Sequence, residues 1–284
     1  MKTYLECIPC FINQAFRAAK TATDDDNKIK IILDKAGAMI STIPMEQTPP
    51  ETGADIYKLI SDVTGDNDPY YSIKQKNITH ALSLYAGLKK RVENSNDPLL
   101  TAIRLAIAGN VIDLGIDRQF DIEKDIENTL IADFAEFDYD SFKTRLDQAE
   151  SILYIGDNSG EGVFDRILIE QLNKPVVFAT REIPVINDIT VIEAEQIGIT
   201  KIAKVISSGS KAPGTILKKC SRDFVGIFER SDMVISKGQG NYESLSDSKR
   251  DIFFMLKAKC SVIAKHLNVN VGDIIFKHHK GTEI

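Results

Sequence analysis

The chain has 284 residues, of which 43% are hydrophobic and 27% charged, the profile of a soluble globular protein with room for one large or two moderate domains. Thirty-five Lys and Arg against 41 Asp and Glu leave a net charge of -6. That argues against nucleic acid as the main partner, because a phosphate backbone is held by a surplus of cations. A small anionic ligand stays allowed, since one site needs only local positive charge or a metal.

No stretch is apolar enough to span a bilayer. The opening MKTYLECIPCFINQAFRAAK is broken by Glu6, Asn13, Gln14 and Arg17, so it does not read as a signal peptide. The expected location is the cytoplasm, and the four cysteines are expected as thiols or metal ligands rather than disulfides.

Up to about residue 150 the apolar positions recur at three- and four-residue spacing, which predicts helices over 11–20, 28–43, 54–63, 73–92, 97–109 and 121–135. Asp97 before Pro98 reads as a helix cap with proline in the first turn. Beyond 150, short β-branched runs at Ser151–Ile155, Val176–Ala179, Lys204–Ser207, Met233–Ser236, Phe253–Lys257 and Asp273–Phe276 alternate with helical segments at 162–172, 189–197, 214–220 and 260–267. Such alternation predicts a mostly parallel sheet covered on both faces. The expected fold class is therefore α/β. A helical domain (1–148) precedes a three-layer α/β/α domain (149–284) that carries the metal- and phosphate-binding groups.

Three strand ends carry groups suited to chemistry. The first apolar run ends in Gly156, followed by Asp157 and Asn158, and Gly160 and Gly162 then open a helix. In open α/β sheets ligands bind beyond the carboxyl ends of strands. A carboxylate and an amide oxygen there suit Mg²⁺ or Mn²⁺, and helix N-terminal amides suit a phosphate. An ordinary capped turn is the competing reading. The second run leads through Arg181, Glu182 and Asn187 to Asp188, which reads either as a metal ligand beside Asp157 or as the cap of the next helix. The third ends at Lys237 in a glycine-rich loop, where a lysine suits a phosphate oxygen, although a solvated surface lysine fits the same pattern.

Taken together, Ala-Gly-Asn-Val-Ile-Asp (108–113), Gly-Asp-Asn-Ser-Gly-Glu (156–161), Pro-Val-Ile-Asn-Asp-Ile-Thr (184–190) and Lys-Gly-Gln-Gly-Asn-Tyr-Glu (237–243) resemble, in this order, the damage-control phosphatase family. The resemblance covers nearly the whole chain. It implies a divalent cation (Mg, Mn, Co or Ni) held by Asp157, Asn158 and Asp188, and hydrolysis of small phosphorylated metabolites. Asp157, Glu161 and Lys237 are the expected catalytic groups, and Asn110, Asp113, Gly160 and Lys237 the expected substrate-binding ones. The attacking group is expected to be water, with Glu161 or Asp188 as its base. A phospho-enzyme on Asp157 is the other course.

Cys7-Ile-Pro-Cys10 and Lys259-Cys260 resemble motifs of one branch of that family. Three converging thiols would suit a second, soft metal; a redox pair or plain buried thiols are the other readings. Cys220 and the four histidines match no motif. Two other functions fit the same residues: a non-catalytic phosphometabolite- or nucleotide-binding module, and a thiol- or metal-handling protein. No nucleic-acid or membrane partner is expected, and an oligomer is allowed but not required.

Overall fold

The structure is a computed structural model that describes residues 1–109 and 122–281. The chain opens with helices α1 (Cys7–Ala22), α2 (Asp26–Ile40), α3 (Pro49–Thr64), α4 (Tyr71–Glu93), α5 (Pro98–Gly109) and α6 (Ile122–Ile131). Strand β1 (Phe134–Phe137) and α7 (Tyr139–Gln148) follow, then β2 (Ile152–Ile155), α8 (Gly162–Leu172), β3 (Val176–Thr180), α9 (Val191–Gln196), β4 (Lys204–Ser207), α10 (Arg222–Arg230), β5 (Met233–Lys237), α11 (Gln239–Leu245), β6 (Ile252–Lys257), α12 (Ser261–Leu267) and β7 (Ile274–His279).

The local chemistry explains several boundaries. Asp97 accepts from the Leu100 amide at 3.0 Å and so caps α5, with Pro98 at the first helical position. Thr48 and Glu51 form a capping box on α3, and Gly65 ends that helix in a left-handed turn at φ 79°. The expected helix over 121–135 stops at Ile131, and Phe134–Phe137 instead joins the sheet. The helix expected over 214–220 is only a 3₁₀ turn at Leu217–Lys219, while α7, α10 and α11 add to the expected set.

Among the described residues, seven strands form one sheet in the order β1-β7-β6-β5-β2-β3-β4. Every neighbouring pair is parallel except β6–β7. Side chains alternate across it. Ile152 and Tyr154 enter one core with α5 and α8, and Leu153 and Ile155 enter another with Phe224, Phe228 and Ile263 from the opposite helices. This is the three-layer α/β/α arrangement. Helices α1, α2 and α3 pack on one another around Phe11, Ile32 and Ile56.

The order of strands fixes where a ligand can sit. From β2 the chain winds through β3 to β4, then returns through α10 to place β5 on the other side of β2. The crevice beyond the C-terminal ends of β2 and β5 is therefore the topological switch point of the sheet.

Candidate active site

Asp157 and Asn158 follow β2 at that switch point, and Gly238 follows β5. The Gly156 amide extends the ladder to Ala179 O at 3.0 Å. A side chain at 156 would collide with Phe178 at 2.6 Å, so the turn needs glycine there. The next loop is stitched onto this one. Ser159 N donates to Asn187 O at 2.8 Å, Ile189 N donates to Asp157 O at 2.8 Å, and Asn158 and Asp188 form an isolated antiparallel bridge. Asp157, Asn158 and Asp188 are thus brought together, all buried.

Asp188 does not cap α9. Thr190 does, in a capping box with Glu193, and Glu193 also receives the fully buried Lys74 Nζ of α4 at 2.6 Å. Asp188 is instead gripped by Arg181, whose Nε donates to Oδ2 at 2.7 Å. The rest of that guanidinium, buried at 1% exposure, donates to Thr215 Oγ1 at 2.9 Å and Asn241 Oδ1 at 3.0 Å, and approaches Asp157 Oδ1 at 3.8 Å. This arginine links Asp188, Thr215 and Asn241, and the sequence reading gave it no role. Its signal was its place at the end of β3, immediately before the Asp188 loop.

Asn158 turns its amide nitrogen toward Asp157 Oδ2 (3.4 Å) and Glu161 Oε2 (3.3 Å), so its amide oxygen is the end left for a cation. Burial, then Asp188 and Glu161, push the Asp157 carboxyl well above the usual carboxylate range, against the pull of Arg181 and Lys259. Acidic groups so close and so dry are short of positive charge. Hard oxygen donors in that setting fit a divalent cation.

Lys237 is fully buried. Its ammonium donates to Ala106 O at 2.8 Å, to Asp165 Oδ1 at 2.7 Å and to Glu161. Those are all the donors an ammonium has, so the expected hold on a phosphate oxygen would require one of them to be given up. Burial works against its charge, but Asp165 and Glu161 outweigh it and hold the lysine above its ordinary value. Asp165, one helical turn after Glu161, was not singled out in the sequence. Tyr154 OH donates to it at 2.7 Å, and burial pushes its carboxyl up to about 6 although Lys237 opposes the shift.

The helix N-terminus that should meet a phosphate is partly spent. The amides of Ser159, Gly162 and Val163 already donate to Asn187, Asn158 and Gly160 carbonyls. Gly160 lies against Asn77 of α4, where a Cβ would come within 3.0 Å. Asn110 and Asp113 lie outside the described residues.

Helices α1 and α3 roof the strand ends and close a cleft of about 270 Å³ over Asp157, Asn158 and Asp188. Cys7 and Cys10 from α1 and Cys260 after β6 line the same cleft. Among the described residues no three His, Cys, Asp or Glu side chains are gathered to hold one metal ion, so the cysteines share the cleft but not a ready coordination sphere. Burial, with Glu243, Cys260 and Cys10 adding to it and the Tyr4 backbone opposing, pushes the Cys7 thiol up. Cys220 is pushed up to about 12 by burial, with Arg181 pulling the other way. Three histidines are bonded within the fold: His266 Nδ1 lies 2.9 Å from Tyr242 OH, His278 Nδ1 lies 2.8 Å from Ser141 Oγ and His279 Nε2 lies 2.8 Å from Ser248 O. Among the described residues no helix is long and apolar enough to cross a membrane.

Fold and site together define a doubly wound α/β protein with a buried acidic centre at its switch point. The chain belongs to a known family: the profile of the damage-control phosphatase ARMT1-like domain matches residues 3–275. A damage-control phosphatase of Pyrococcus horikoshii is 35% identical over 99% of both chains, and one of Archaeoglobus fulgidus is 29% identical over 98% of this chain and 99% of its own. The crystal structure of a DUF89 family protein from Pyrococcus horikoshii superposes with a TM-score of 0.91 at 34% identity, covering 99% of this chain and 100% of that one.

Proposed function

We propose that the chain is a cytoplasmic, metal-dependent phosphatase that hydrolyses phosphomonoesters of small metabolites, sugar phosphates or damaged phosphometabolites among them. The observation that carries this reading is the buried, mutually repelling pair Asp157 and Asp188, completed by the Asn158 amide oxygen at the switch point. The relatives named damage-control phosphatases point the same way.

In this reading Asp157, Asn158 and Asp188 hold the divalent cation, Mg, Mn, Co or Ni. That cation supplies the positive charge against which a phosphoryl group is bound and its transition state stabilised. The chain's own residues do the positioning. Arg181 holds Asp188 through Oδ2. Glu161 orients the Asn158 amide and is itself held by Lys237, so Lys237 serves the reaction through Glu161. Water attacks phosphorus, and a carboxylate of the site, Glu161 or Asp188, takes its proton.

The test is a screen of phosphomonoesters with each of the four metals. Turnover that is abolished by a chelator and by Asp157→Ala supports the reading. No turnover with any metal, or unchanged turnover in Asp157→Ala at saturating metal, sinks it. Trapping a phospho-aspartate during turnover would replace water attack by the covalent course.

A further inference from the structure

We infer that Cys7 and Cys10, at the start of α1, form a peroxide-reactive dithiol on the roof of the acidic cleft. Cys10 is the sulfur that hydrogen peroxide oxidises, and Cys7 is the thiol that resolves it as an intramolecular disulfide. The inference stands on the thiols alone and does not depend on the phosphatase reading.

The phosphatase chemistry leaves these thiols unused, although they line its cleft. Cys7, Cys10, Phe11 and Gln14 all face that space, at the three- and four-residue spacing of one helix face. In an α-helix the Cα atoms of residues three apart are about 5 Å from one another. That lies inside the range of about 4.4–6.8 Å that a disulfide spans. The helix therefore holds the pair near bonding geometry before any oxidant arrives.

The first turn is also free to adjust. Glu6 caps α1 with no side-chain hydrogen bond. Pro9 lies between the two cysteines and has no amide hydrogen bond to give up. The amides of Cys7 and Ile8 are anchored just outside the helix, on Tyr4 O at 3.0 Å and Leu5 O at 3.1 Å.

Exposure sets the order of reaction. Cys10 is exposed, whereas Cys7, Cys220 and Cys260 are half-buried. Gln14 Nε2 donates to Cys10 Sγ at 3.4 Å, which holds that sulfur on the cleft-lining face. Cys260 is occupied otherwise: its sulfur accepts from Gln239 Nε2 at 3.6 Å, and Gln239 Oε1 accepts from the Lys259 amide at 2.9 Å. It comes from the far side of the cleft, while Cys7 is one turn away on the same helix.

The steps balance with peroxide as the only co-reactant. Cys10 sulfur attacks one peroxide oxygen, the O–O bond breaks, and the departing hydroxide takes the thiol proton and leaves as water. The sulfur is oxidised by two electrons to a sulfenic acid. Cys7 sulfur then attacks the Cys10 sulfur, the S–O bond breaks, and hydroxide leaves as a second water with the Cys7 proton. Two thiols and one peroxide give one disulfide and two waters.

The test treats the reduced full chain with hydrogen peroxide, blocks the remaining thiols with iodoacetamide and maps the peptides by mass spectrometry. The wild type should yield a Cys7–Cys10 disulfide that dithiothreitol reverses. Cys7→Ser should instead accumulate a sulfenic acid on Cys10, trapped by dimedone. Cys10→Ser should consume peroxide at least tenfold more slowly than the wild type. Cys260→Ser should form the same disulfide within twofold of the wild-type rate. Circular dichroism checks that each variant keeps its fold, and the wild-type map needs no variant at all. Absence of the Cys7–Cys10 disulfide in the oxidised wild type overturns the proposal. So does a bond from either cysteine to Cys260, or dimedone on Cys220 or Cys260 in place of Cys10.

Discussion

The carboxylate of Asp157 occupies the space that a side chain at position 238 would need. A Cβ on Gly238 would fall 1.9 Å from Asp157 Oδ2 and 2.2 Å from its Cγ, and the glycine also holds φ 78°. Glycine is therefore required twice over, by backbone conformation and by the approach of the acid. Gly238→Ala should push Asp157 out of place. The expected outcome is a loss of phosphatase activity of at least about a hundredfold, the scale on which misplacement by roughly an ångström acts, with a stability cost on the order of 1–3 kcal/mol. Steady-state kinetics and urea unfolding check it, and activity within a factor of two of wild type would refute it.

Lys237, Glu161 and Asp165 form a fully buried ionic cluster. Removing the cation strands two carboxylates away from water, and breaking such a pair costs on the order of 3–5 kcal/mol. Lys237→Met should therefore destabilise the fold by about that much and lower activity with it. Adding Asp165→Asn should recover at least about 1 kcal/mol, because one stranded charge is gone. Urea unfolding of the two single variants and the double variant measures the coupling. A lysine whose role is to touch phosphate would instead give a stable Lys237→Met with a raised KM and no recovery.

Metal binding should be visible without turnover. A cation that binds only the folded protein at about a hundred times its Kd stabilises by about 2.7 kcal/mol, a shift of a few degrees in Tm for a chain of this size. The wild type should show that rise with Mn²⁺, and Asp188→Asn should lose most of it whatever its own Tm. Equal increments in both proteins would remove Asp188 from the ligand set.

The strand ends were legible because an apolar run followed by hard donors is a pattern within a few residues. Asp157, Asn158 and Asp188 stand out for that reason. Strand β1 was not legible: its burial alternates between half-buried and exposed over Phe134–Phe137, so it carries no continuous apolar run. Arg181 depends on Thr215 and Asn241, which lie 34 and 60 residues away, and its place after β3 does not by itself reveal those partners. Asp165 stood at helical spacing from Glu161, but its partner Lys237 is 72 residues off. What the sequence hides is the set of long-range partners that turn an ordinary charge into a buried one.

Glu243, at the end of the fourth motif, lines the acidic cleft half-buried. Its Oε1 accepts from Gln239 Nε2 at 2.9 Å, and its backbone oxygen accepts from the N-terminal ammonium of Met1 at 2.8 Å. Burial nevertheless raises its carboxyl from 4.5 to about 7, the Gln239 bond and the amine offsetting only part of the shift. A carboxyl raised in the folded state binds a proton that the unfolded chain has already released. Stability from this group is therefore complete below about pH 4.5 and is lost as pH rises through about 7. At ~1.4 kcal/mol per pH unit the loss is on the order of 3 kcal/mol. Glu243→Gln keeps an acceptor for Gln239 and cannot ionise. Its unfolding free energy should fall less than the wild type's between pH 5 and pH 8, by roughly 2–3 kcal/mol. Urea unfolding at intervals across that range gives the difference directly, and parallel curves for the two proteins would show that Glu243 is already ionised in the fold at pH 5.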